Sequence, residues 1–107
     1  MNHIKKFESM RQGKIDIAKV DFSGGGDGVY ALYIDGKIHT YGDEYHNDIN
    51  AWIRGFIDGL EWIGADIDYK TLYCKDNDII YNIVDMAEEP PSQLSDLDGK
   101  LSEKSGW

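Results

Sequence analysis

The side chains best suited to chemistry lie just before the chain's strongest helical pattern. His46 sits among Asp43, Glu44 and Asp48, and a histidine with carboxylates in reach can hold a divalent metal or act as an acid–base pair. No second histidine lies nearby in sequence, and a solvated stretch leading into a helix explains the same residues. Cys74 is the single cysteine; it excludes a disulfide framework and a cysteine-based metal knuckle. By strand parity it falls with Leu72, as a small core residue rather than a nucleophile. Ser23 precedes glycines but lacks the G-x-S-x-G pattern of a nucleophile elbow.

The run Gly24, Gly25, Gly26, Asp27, Gly28 raises the question of phosphate binding. Such a loop needs a helix N-terminus after it, where free N–H groups and the positive end of the dipole face the anion. Here the glycines lead instead into Val29, Tyr30, Ala31, Leu32, Tyr33, Ile34, a strand by composition. The spacing is not G-x-G-x-x-G, and Asp21 and Asp27 lack the ligand ladder of a calcium loop. The run reads as a glycine-rich hairpin connection.

The carboxylates are the dominant feature. The chain has 20 acids against 11 lysines and arginines, net −9. Residues 1–14 are net +3, residues 15–85 net −9 and residues 86–107 net −3. A protein so charged does not bind nucleic acid through a basic face, and a partner with a basic surface suits it better. The acids gather in sets. Asp43, Glu44 and Asp48 crowd the helix start, Asp58 and Glu61 lie on its polar face, Asp66 and Asp68 come after its end, and Asp76 and Asp78 occupy a later turn. At 1.5 Å per helical residue, Asp48 to Glu61 spans roughly 20 Å, a length over which duplex DNA presents several phosphates. Trp62 is a candidate anchor for a partner, near the small residues Ala51, Gly55 and Gly59.

Periodicity defines the elements that position these groups. Residues 3–12 read as a short helix ended by Gly13, and 15–22 as a strand with a parity change near Ile17 and Ala18 that suggests a bulge. Asp35 and Gly36 form a type I′ turn between strands 29–34 and 37–41. Ile49, Trp52, Ile53, Phe56, Ile57, Leu60 and Ile63 recur at helical spacing over 47–63, with Asn47 as cap and Gly64 as stop. Residues 69–75 and 79–84 read as a second hairpin, with Tyr69, Thr71 and Tyr73 as an exposed row. The expected fold is α+β: an antiparallel sheet (three-stranded meander, helix, then hairpin) packed on one long amphipathic helix, with a short N-terminal helix. Residues 1–86 form the domain, and 87–107 an acidic, disordered or loosely docked tail ending in Trp107. No apolar run is long enough to span a membrane and no signal-peptide pattern opens the chain, so a cytoplasmic protein is expected.

This layout, with strong acidity and no catalytic motif, resembles the small acidic anti-defence inhibitors of bacteriophages, the anti-CRISPR and DNA-mimic anti-restriction proteins. The resemblance covers the organisation of residues 15–85 and carries no signature motif. It implies a non-enzymatic protein without cofactor or metal, working in the cytoplasm of the host bacterium. Its acids would fill a basic site made for DNA or RNA on a host defence complex. The partner-binding set expected here is Asp43, Glu44, Asp48, Asp58, Glu61, Trp62, Asp66, Asp68, Asp76 and Asp78. The alternatives are an oligomeric protein that sequesters a small ligand or nucleotide with the glycine loop and tyrosines, and a regulatory protein whose tail binds a partner.

Overall fold

Ile15, Ile17, Ala18 and Val20 set the architecture, because they put apolar side chains on both faces of one strand. The computed structural model describes residues 14–23, 28–43 and 48–103. In it β1 (Ile15–Asp21) is the middle strand of a five-stranded sheet. It pairs antiparallel with β2 (Val29–Ile34) and parallel with β4 (Ile67–Cys74). β2 pairs antiparallel with β3 (Lys37–Asp43), and β4 with β5 (Leu101–Glu103), giving the order β3-β2-β1-β4-β5. The antiparallel sheet expected from sequence is therefore corrected to a mixed one. A strand with a parallel neighbour and cover on both sides reads as a near-continuous apolar run, which is why β1 looked as if its parity changed. β1 carries no bulge. The register shift lies between Leu32 and Tyr33, opposite β3.

Among the described residues, two short helices replace the single long amphipathic one. α1 (Ile49–Trp62) has 14 residues and buries Ile49, Ile53 and Ile57. These close over Ile15, Ile17 and Leu32. Asp48, not Asn47, is its N-cap, in left-handed backbone (φ 47°) and with no side-chain capping bond. At the other end Gly64 (φ 83°) lets the chain reverse. The bonds from the Gly64 N–H to the Glu61 carbonyl (3.0 Å) and from the Ala65 N–H to the Leu60 carbonyl (3.0 Å) form a Schellman motif. α2 (Asn77–Val84) is the second correction, since residues 79–84 were expected as a strand. Ile79, Ile80 and Ile83 turn onto the opposite face of the sheet, against Val20, Phe22, Tyr33, Leu72 and Cys74. Cys74 is buried there, as its parity predicts.

Residues 87–103 are not a free tail. Running beside β3, the chain accepts the Tyr33 hydroxyl at the Pro91 carbonyl (2.7 Å) and the Ile38 N–H at the Ser92 carbonyl (2.9 Å). It then makes a 3-10 turn (Leu94–Leu97) that buries Leu97 completely, and finishes as β5. The folded unit thus extends past residue 86. The expected helix over 3–12, residues 24–27 of the glycine run, Glu44, His46 and Trp107 lie outside the described residues. No helix among the described residues is long and apolar enough to cross a membrane.

Candidate functional site

The expected partner-binding acids fall at two opposite ends of the sheet. At one end, β1 and β4 begin and β2 turns into β3. Asp35 and Gly36 both have positive φ (51° and 84°), as a type I′ turn requires. The Asp16 N–H donates to Asp35 Oδ1 (3.0 Å), and the Asp35 N–H donates to the Asp16 carbonyl (2.7 Å). The Ile15 N–H donates to the Asp66 carbonyl (2.8 Å), and Asp16 stands in register with Asp68. Glu61 and Trp62 close α1 a few residues before. Asp16, Asp35, Glu61, Asp66 and Asp68 are all exposed, so among the described residues this end carries five carboxylates, with the cations Lys14 and Lys37 beside them. Among them Trp62 is 87% and Ile63 73% exposed. Asp58, one turn back along α1, is exposed beside Arg54 and Tyr69.

The other end holds Asp43, Asp48, Asp76 and Asp78. Asp43 closes β3 and is half-buried, while Asp48 is exposed. Asp76 has a structural role that accounts for its carboxylate. It caps α2 by accepting from the N–H groups of Asp78 (3.0 Å) and Ile79 (3.1 Å), and it pairs with Lys100 Nζ at 3.1 Å. The Ile79 N–H bond and the lysine hold its carboxyl below the usual range. Asp78 lies exposed in the first turn of α2, where the helix dipole favours an anion.

Sequence reasoning missed Asp16 and Asp35. Asp35 reads only as a turn residue, and Asp16 only as the polar gap between Ile15 and Ile17; Asp16 meets Asp68 through the parallel β1–β4 pairing, and Asp35 joins them through its bonds to Asp16 beside the β1–β2 pair, neither of which names its partner in the local sequence. The expected small-residue ridge also reads differently. A Cβ at Gly55 or Gly59 meets nothing within 4 Å among the described residues, so none of these approaches the helix backbone closely there. Tyr69 is 39% exposed, whereas Thr71 and Tyr73 are half-buried.

Two features bear on other chemistry. The bulge on β3 turns His39 onto α1, where its ring stacks on Phe56 (5.4 Å between centroids) and lies 6.0 Å from Trp52. No group of three or more metal-ligating side chains occurs among the described residues. A cleft of about 400 Å³ opens between β3 and α2, lined by Val29, Tyr41, Asp43, Ile83, Ala87 and Glu88.

Comparison with known protein families, with curated proteins and with solved structures gives no match for this chain.

Proposed function

We propose that the protein is a non-enzymatic acidic binding protein that inhibits a nucleic-acid-processing host defence complex by occupying its basic DNA- or RNA-binding surface. The observation that carries this reading is the acidic end of the sheet: Trp62 (87% exposed) and Ile63 (73%) follow Glu61 at the close of α1, which leads to the end of the sheet where Asp16, Asp35, Asp66 and Asp68 lie exposed. An apolar anchor within a charged rim suits a protein partner. Carboxylates on short, fixed elements imitate a phosphate run at low entropic cost.

The test is inhibition of DNA cleavage by a panel of RNA-guided nucleases and restriction enzymes. The reading expects inhibition of one of them that weakens as salt rises. It also expects loss of that inhibition in the combined variant Asp58→Asn, Glu61→Gln, Asp66→Asn, Asp68→Asn, and in Trp62→Ala. Inhibition unchanged in both variants would sink it. A second reading, sequestration of a small ligand, rests on the cleft beside Tyr41. It predicts that Tyr41→Ala, not the acid variants, abolishes ligand binding.

A further inference from the structure

β4 is paired along nearly its whole length on one side and, among the described residues, over only its last part on the other. β1 meets it from Ile67 to Tyr73, while β5 meets only Leu72, Tyr73 and Cys74. Among the described residues, nothing pairs with the outer edge of residues 67–71. The parallel register fixes which backbone groups face outward. Because Ile15 stands opposite Ile67 and its N–H goes to the Asp66 carbonyl, the even-numbered residues Asp66, Asp68 and Lys70 bond toward β1. Ile67, Tyr69 and Thr71 therefore direct their N–H and C=O groups outward. An exposed edge of this kind is a template for another strand.

We propose that a second copy of this chain occupies this edge, β4 against β4 in antiparallel pairing about a two-fold axis through Tyr69. Charge selects the occupant and the register. With Tyr69 opposite the partner's Tyr69, Ile67 lies opposite Thr71, and each of these pairs exchanges N–H···O=C bonds. Asp68 then lies directly opposite the partner's Lys70, and Lys70 opposite the partner's Asp68. Those are the close, non-hydrogen-bonded pairs, where opposite charges stabilise and like charges destabilise most.

Every neighbouring register is worse. Centring on Asp68 sets aspartate against aspartate, centring on Lys70 sets lysine against lysine, and centring on Ile67 sets Asp66 against Asp68 twice. Centring on Thr71 runs into the space that β5 already holds. Asp68 and Lys70 are both exposed, and among the described residues neither side chain has a hydrogen bond or ion pair within the protomer. The five residues 67–71, without an outer partner among the described residues, match the length that the Tyr69-centred register uses. The product is one continuous sheet through both protomers, with the two Tyr69 rings side by side on the α1 face. An isologous contact of this kind closes at two copies.

The test is sedimentation velocity of the full chain over a wide concentration series, with backbone hydrogen exchange at low and high concentration. The wild type is expected to dimerise reversibly. Asp68→Lys and Lys70→Asp, each placing like charges opposite, are expected to raise the dimer dissociation constant about tenfold or more. The double exchange Asp68→Lys with Lys70→Asp restores the opposed charges and is expected to restore the dimer, which a merely structural role would not do. Dimerisation should protect the amides of Ile67, Tyr69 and Thr71, while those of Asp68 and Lys70 are protected in both states through β1. A protein that stays monomeric throughout overturns the proposal, as does a dimer indifferent to the single exchanges. Concentration-independent protection of the Tyr69 and Thr71 amides would overturn it too, showing that the chain covers its own edge.

Discussion

Replacing Leu97 with alanine tests the largest difference between the expected tail and the folded one. Leu97 is fully buried, and it packs into the cluster that holds Phe22, Tyr33, Leu72 and Ile83. Removing a leucine side chain from such a site costs about 3–5 kcal/mol, the transfer of the lost atoms plus the cavity they leave. Leu97 sits on a short turn that can partly collapse inward, so the lower part of that range, about 3 kcal/mol, is expected. For a domain of this size that lowers Tm by roughly 12–24 °C. At a urea slope of about 1–3 kcal/mol per molar, it moves the midpoint down by about 1–3 M. The assay is urea denaturation followed by tryptophan fluorescence and by far-ultraviolet circular dichroism. Ser95→Ala, an exposed change in the same turn, is the control and should stay within about 0.5 kcal/mol. A Leu97→Ala midpoint within about 0.3 M of wild type, at equal slope, would refute the reasoning, because a residue loosely draped on the sheet leaves no cavity.

Single contacts carry the other expectations. Tyr33 is fully buried and donates to the Pro91 carbonyl, so Tyr33→Phe should cost about 1–3 kcal/mol by leaving that carbonyl unpaired. Burial first, then Asp96 and Cys74, raises the Tyr33 hydroxyl above its ordinary value. The fold therefore favours the neutral phenol. Its contribution is present below about pH 10 and is lost as pH rises toward the folded value, and Tyr33→Phe should lack that alkaline component in pH-dependent melting. Asp76 has the opposite sign: its carboxyl is lowered by the Ile79 N–H and Lys100. Its contribution is present above about pH 4 and fades as pH falls through the folded value, so the Tm difference between wild type and Asp76→Ala should shrink on acidification. A Cβ at Gly28 would lie 2.3 Å from Ser23 Cα, and Gly28→Ala should destabilise by about 1–3 kcal/mol. Gly55, where a Cβ meets none of the described residues within 4 Å, should be stabilised by about 0.8–1 kcal/mol as alanine; thermal melts read both.

How far the sequence discloses this fold depends on whether the signal is local. The Asp35 and Gly36 turn is written in two residues, both at positive φ, and the α1 stop in Gly64 alone, because positive φ is needed at those positions and few residue types adopt it. The identity of residues 79–84 turned on a conflict. Isoleucine and valine favour a strand, but Ile79, Ile80 and Ile83 keep helical spacing, and Asp76 supplies the cap that lets the helix start. Packing against Phe22 and Cys74 settled it. Leu94, Leu97 and Leu101 look sparse in a polar stretch, and only the sheet shows that all three join one core. The acidic end was legible in part. Glu61, Trp62, Asp66 and Asp68 are neighbours along the chain, whereas Asp16 and Asp35 reach them only through pairing across the sheet.

The parallel pairing of β1 with β4 also orders events in time. β1, β2 and β3 meet through adjacent turns, so their ladder closes over short loops and can assemble early. Ile15 must wait for Ile67, and that loop encloses α1 entire, so the middle of the sheet is sealed late and against a larger closure entropy. Until then Ile15, Ile17 and Leu32 have no helix above them, and one flank of β1 has no strand beside it. On a ribosome the interval lasts until β4 has left the exit channel, and longer still before β5 arrives. The nascent chain is most vulnerable to off-pathway pairing in that window, and the charges spread along its middle segment help hold chains apart until the sheet is complete.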